Sequence, residues 1–223
     1  MPSTPITFGG REALTFGWQQ TTANLKYFIG LVLVAAVVFI LPSYLGQVLQ
    51  ERSLGLSVLV FLAAWVLQLS VGLGLIGIAL KFCSGVKPPL SELFNYFHRL
   101  LPYLGASVLY GLIILAGLVL LVVPAFVWGV KFSLFPYFMI DRGAGVIESL
   151  HLSGQATRGV KWQLFCFVIL LALINLAGAL VVGLGLLVTV PVTYLALAWV
   201  YRRLASQLPV SGAGASLTPL KLG

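Results

Sequence analysis

Charge is what this sequence has least of. Among 223 residues only 8% are Asp, Glu, Lys or Arg, against 60% hydrophobic residues and a mean hydropathy of +1.08. That leaves too little polar surface to cover a globular domain in water, so a soluble fold is excluded and lipid is the expected solvent. Acidic residues are scarcer still. Glu12, Glu51, Glu92, Asp141 and Glu148 are the whole set, and all five fall outside the apolar runs. Intramembrane proteolysis by paired aspartates and proton coupling through a buried carboxylate therefore lack their reagents. No HExxH or GxSxG occurs. The two cysteines, Cys83 and Cys166, show no CxxC spacing and read as inert apolar thiols in a reducing compartment. Residues 1–10 lack the basic start, apolar run and small-residue cleavage site of a secretory signal, and Pro2, Pro5, Gly9 and Gly10 keep them loop-like. The first apolar run is expected to target the chain. Alternating strands are missing as well, which argues against a barrel.

What is present is a series of long apolar runs, at 25–49, 56–80, 100–123, 124–140, 162–182 and 184–201. In lipid each must close its own backbone hydrogen bonds, so each is expected to be a helix. Pro124 suits the first turn of the fourth. The fold class expected is all-α: a polytopic membrane bundle of about six transmembrane helices arranged as three hairpins. Residues 11–205 form its single domain, between a flexible start at 1–10 and a flexible tail at 206–223. Eleven Lys and Arg residues fall on one side of this layout and only Arg52 on the other, with Lys131 inside a run. The positive-inside rule places the rich side, with both termini, in the cytoplasm.

The formal charge of +8 does not mark a nucleic-acid binder, because the basic residues are scattered among loops between apolar runs. The cytoplasmic segments before runs one, three and five each read as a short interfacial helix, with aromatics and cations suited to headgroup level. An internal repeat follows, in which an interfacial helix, a run, a tight outer turn and a returning run recur three times. Gln20, Thr22, Lys26 and Tyr27 align with Gln155, Thr157, Lys161 and Trp162 at one offset of 135.

Gly72, Gly74 and Gly77 spell GxGxxG, but no strand precedes them and they lie within an apolar run, so close helix packing is expected and a nucleotide site is not. Ser107 with Gly111, Ala125 with Gly129 and Ala179 with Gly183 repeat the small-residue spacing. Lys131 stands ten residues before Asp141, about 15 Å into a continuous helix at 1.5 Å per residue. By the same reasoning Gln68 and Asn175 reach a similar level, which makes Lys131, Gln68 and Asn175 a candidate intramembrane polar cluster. It reads either as a solute path with affinity for an anion or as a structural hydrogen-bond cluster. Arg99, Arg142, Arg158, Lys161, Arg202 and Arg203 are the candidate contacts for anionic lipid or a partner on the cytoplasmic face. His98 and His151 are candidate axial ligands for haem or a pigment.

Lys87-Pro88, Glu92-Leu93-Phe94, Arg99 to Leu104, Val123-Pro124, Trp128, Lys131-Phe132-Ser133, Pro136-Tyr137, Asp141, Gly159 to Trp162 and Pro191-Val192-Thr193 make a recognisable pattern. It resembles a superfamily of bacterial six-span membrane proteins related to the membrane domain of some glycerophosphodiester phosphodiesterases. The resemblance covers over half the chain and implies six spans in a bacterial inner membrane. The phosphodiesterase domain with its acidic metal ligands is absent, so no hydrolytic activity is implied, nor any cofactor or metal. The function expected is a non-enzymatic structural or accessory module that binds anionic lipid or a partner membrane complex. A small-solute or lipid transporter built around Lys131 is the alternative, and a pigment- or haem-binding subunit the third reading.

Overall fold

The computed structural model describes residues 8–50, 53–120, 122–181 and 183–208. Among them the chain is helical, with no strand. Its helices are α1 (Gly10–Ala23), α2 (Leu25–Gln50), α3 (Leu54–Cys83), α4 (Leu100–Leu120), α5 (Val122–Phe132), α6 (Phe135–Arg142), α7 (Val146–Ala156), α8 (Lys161–Leu180) and α9 (Leu186–Ala205). Two 3₁₀ turns, Leu90–Phe94 and Phe97–Arg99, join α3 to α4. Four stretches are long and apolar enough to cross a membrane: Leu25–Leu49, Leu54–Cys83, Leu90–Val119 and Lys161–Leu180. The chain is accordingly a membrane protein. The expected loops around Glu51 and Arg52, most of the N-terminal stretch and most of the C-terminal tail lie outside the described residues.

Two expectations about local structure need correction. The run 124–140 is not one helix. The chain leaves helical geometry at Ser133 and Leu134, and α5 and α6 are separate short helices of 11 and 8 residues. The cause is a pair of hydrogen bonds: Ser133 Oγ folds back to the Val130 carbonyl at 2.9 Å, and the Leu134 amide donates to Ser153 Oγ of α7 at 3.1 Å. That amide thus leaves the i→i−4 ladder, and the helix breaks there. The segment before α4, expected as an amphipathic helix, is instead the two 3₁₀ turns. Pro88 and Pro89 hold its entry extended, and Pro89 has no amide to give.

Helix α9 forms the centre. Its buried residues include Leu195, Ala196, Ala198, Trp199, Val200 and Tyr201, and α1, α2, α3 and α8 all pack against it. Gly17 of α1 faces the Val192 carbonyl, where a Cβ would come within 2.7 Å, so glycine sets the closeness of that crossing. Phe8, expected in a loose stretch, is buried with its ring 5.6 Å from that of Phe167, and its carbonyl accepts from Gln163 Nε2 at 2.5 Å.

The long helices have two unlike ends. In α3, Leu54, Leu59, Leu62 and Trp65 are exposed, whereas the stretch from Ser70 to Cys83 is almost wholly buried. Helix α2 buries Phe28, Leu31 and Ala35 and exposes Phe39, Ile40 and Leu41. Helix α8 buries Leu164, Phe167 and Leu171 and exposes Leu173, Leu176 and Leu180. The buried ends share one half of the molecule with nearly all the described Lys and Arg residues, and this is termed the basic half. The exposed ends form an outer half whose apolar side chains require lipid around them.

Candidate functional site

The basic half is organised by its few acids. Asp141, at the end of α6, accepts from Arg202 of α9 at 3.0 Å, and the two side chains are only 10% and 13% exposed. The Tyr201 hydroxyl donates to the second Asp141 oxygen at 2.8 Å, and Arg202 also reaches Ser84 Oγ, at the end of α3, at 3.2 Å. The carboxylate thus ties α6 to α9, and the Arg202 guanidinium extends the tie to the end of α3. A nearly buried charge pair persists only when its remaining hydrogen-bonding capacity is also used, and here Tyr201 and Ser84 use part of it. Next to this network Arg142 Nη2 donates to the Ala205 carbonyl at 2.8 Å, with its guanidinium 5.4 Å from the Phe138 ring.

A second ion pair, Lys81 with Glu92 at 2.8 Å, fastens the first 3₁₀ turn to α3. That turn lies against Gly74, where a Cβ would collide with the Leu93 backbone, and the Tyr96 ring covers Gly77. Two glycines of the GxGxxG thus admit a crossing turn rather than another span, and Gly72 meets nothing. Arg99 Nη1 donates to the Gly143 carbonyl at 3.1 Å, across the left-handed turn at φ 65° that ends α6.

Of the six cations expected to contact lipid or a partner, Arg99, Arg142 and Arg202 are thus committed to internal bonds. Arg158 and Arg203 are exposed and Lys161 half-buried, and their side chains make no ion pair or hydrogen bond among the described residues. The sequence reading missed the Asp141, Tyr201, Arg202 and Ser84 network. The available signal was the scarcity of acids, since a lone aspartate beside an apolar run needs a cation.

Lys131, Gln68 and Asn175 are partnered separately. The Lys131 carbonyl accepts from Ser153 Oγ and Thr157 Oγ1, both at 3.0 Å, while its Cε lies near Gly154 and its ammonium 4.7 Å from the Phe132 ring centroid. The end of α5 therefore stands level with the α7–α8 junction, and Lys131 complements the last turn of its helix. Gln68 Nε2 reaches the Phe39 carbonyl at 3.5 Å, and Asn175 Nδ2 donates to Thr193 Oγ1 at 2.8 Å. Asn175 lies fourteen residues beyond Lys161, about 21 Å along α8, so it stands far from the level of Lys131. The shared level inferred from a continuous fourth helix does not occur, because that helix is broken.

Two adjoining apolar cavities open between α4, α5 and α8. One, of about 440 Å³, is lined by Phe126, Val127, Val130, Lys161, Trp162 and Phe165. The other, of about 520 Å³, shares Phe126, Val130 and Phe165 with it and extends past Tyr110, Ile114, Gly129 and Ile169. His98 and His151 are both exposed, and neither lines these cavities. Among the described residues no group of three or more His, Cys, Asp or Glu side chains is placed to hold a metal ion.

Comparison with protein-family models, curated proteins and solved structures finds no match for this chain. The fold and the site define a helical membrane protein with one tightly packed half, in which Glu92 and Asp141 are each paired with a cation.

Proposed function

We propose that this chain is a non-enzymatic module of a bacterial inner membrane, entering the bilayer with six segments and keeping both terminal segments in the cytoplasm, and that its basic face binds anionic lipid. The observation that carries this reading is the division of the charges. Glu92 and Asp141 are consumed by Lys81 and Arg202, and Glu148 turns back to the Gly145 amide at 3.3 Å. What faces outward is a cationic excess, Arg11, Lys26, Lys87, Arg158, Arg203 and the half-buried Lys161 against the exposed Glu12 and Glu148, with Arg158 and Lys161 beside the exposed Trp162. Each such cation near a membrane surface contributes about 1 kcal/mol of attraction to anionic lipid. In this reading α5, about 16 Å long at 1.5 Å per residue, enters only part of the bilayer thickness, with α6 and α7 in the headgroup layer. The likeness to the six-span superfamily supports the same layout, and an accessory role beside a partner membrane complex is compatible with it.

The test is native mass spectrometry of the lipids retained after purification in mild detergent. Phosphatidylglycerol and cardiolipin are expected to be enriched over phosphatidylethanolamine on the wild-type chain, with the enrichment reduced in the triple variant Arg158→Gln, Lys161→Gln, Arg203→Gln. Equal retention of neutral and anionic lipid by the wild type would overturn the reading.

A further inference from the structure

We propose that the groove between α4, α5 and α8 is the seat of one acyl chain of an anionic phospholipid whose headgroup is held by Lys161, an assignment that rests on the lipid-binding reading above. The two cavities share three lining residues, so they form one continuous recess. Its wall is almost wholly apolar, and its charged lining residue, Lys161, stands at the first position of α8. From Lys161 to Ile169 the recess follows α8 for about 12 Å at 1.5 Å per residue. Small residues set it back from the surface: Ala125 and Gly129 let α5 approach α4, and the Tyr110 hydroxyl donates to the Gly129 carbonyl at 3.0 Å. Aromatic rings line the way in. Trp162 stacks on Phe165 at 5.4 Å between centroids, and Phe126 meets Phe165 edge-on at 5.8 Å.

Charge complementarity selects the occupant. A lipid without net charge would fill the apolar recess but bring either no phosphate or one already balanced by its own cation, leaving uncompensated the Lys161 ammonium, which has no ion-pair partner among the described residues. Arg158, exposed on the turn just before α8, adds a second cation on the same approach. Trp162, 75% exposed at the mouth, occupies the headgroup level that indole rings prefer. A phosphate at Lys161 with its chain running toward Ile169 satisfies the ammonium, the indole and the apolar wall together.

The experiment uses the full chain reconstituted in phosphatidylcholine vesicles. Brominated phosphatidylglycerol or brominated phosphatidylcholine is titrated in, and the quenching of Trp162 is isolated by subtracting a Trp162→Phe variant. The brominated anionic lipid is expected to quench Trp162 at a mole fraction about fivefold lower than the neutral one, the preference that one cation confers at a membrane surface. Lys161→Gln should remove that preference. Val127→Phe, which narrows the recess from a lipid-exposed position, should reduce quenching by both lipids at Trp162 alone. Equal quenching by the two lipids, no effect of Val127→Phe, or a second copy of the chain cross-linked over Trp162 would overturn the proposal. If anionic lipid still co-purifies with the chain under any of those results, the general lipid-binding reading survives and the groove assignment alone falls. If it does not, both fall.

Discussion

The two ends of α3 belong to different environments although their sequences are almost equally apolar. Leu59, Leu62 and Trp65 face outward, while Leu75, Ile78 and Leu80 are buried in one core with residues of α2, α6 and α9. The same division runs through α2 and α8. Hydrophobicity therefore does not distinguish the packed half from the lipid half; the described ion pairs, Lys81 with Glu92 and Arg202 with Asp141, lie in the packed half alone. Several of the buried helix ends are tied to a neighbour by a hydrogen bond or ion pair: Ser84 to Arg202, Lys81 to Glu92, Ser153 and Thr157 to the Lys131 carbonyl. Between helices in lipid the hydrophobic drive is weak, and packing with polar contacts takes its place.

Breaking the Asp141 pair should have the largest effect. Arg202→Met leaves a nearly buried carboxylate without its cation, a loss of about 3–5 kcal/mol. Chemical unfolding in mild detergent would read it, and the double variant Asp141→Leu with Arg202→Met should recover most of the loss. Recovery by the double variant alone would show that an uncompensated charge, rather than lost packing, is the cause. Next in size is Gly74→Val, which drives a side chain into the Leu93 backbone and should cost about 1–3 kcal/mol, whereas Gly72→Ala, with open space around it, should be near neutral. Equal losses at the two glycines would contradict the crossing of the 3₁₀ turn over α3. Removing both hydroxyls from the Lys131 carbonyl, by Ser153→Ala with Thr157→Val, should cost about 1 kcal/mol per hydrogen bond and speed amide exchange at the α5–α6 break. The smallest effect belongs to the outer half. Leu118→Ala, on a lipid-exposed face of α4, should change stability by no more than about 0.5 kcal/mol in the same unfolding assay.

The helices at 25–50, 54–83, 100–120, 161–180 and 186–205 were legible in the sequence within a few residues, because apolar length and the backbone's need for internal hydrogen bonds decide them locally. The break at Ser133 was not. It depends on Ser153, twenty residues later, accepting the Leu134 amide, and no local propensity announces that partner. The same break moved Lys131 from an inferred mid-membrane depth to the α7–α8 junction. Of the basic residues, the sequence could count but not sort them. Arg202 and Arg203 are neighbours in one helix turn, yet one faces Asp141 and the other is exposed, a difference set by the rotation of α9 against α6. Lys161 with Trp162 was recognisable as a border pair, whereas the recess beside it needed α4, α5 and α8 in place.

The division between inward and outward cations is tested most directly by thermal unfolding of three chains in neutral detergent, with and without added phosphatidylglycerol. The account predicts that the wild type is stabilised by the lipid. The triple variant Arg158→Gln, Lys161→Gln, Arg203→Gln should melt like the wild type in detergent alone and show a smaller lipid increment, whereas Arg202→Met should melt lower in detergent and keep the full increment. An outward variant that keeps the full increment, or an Arg202→Met chain that loses it, would contradict the assignment of binding to the outward set.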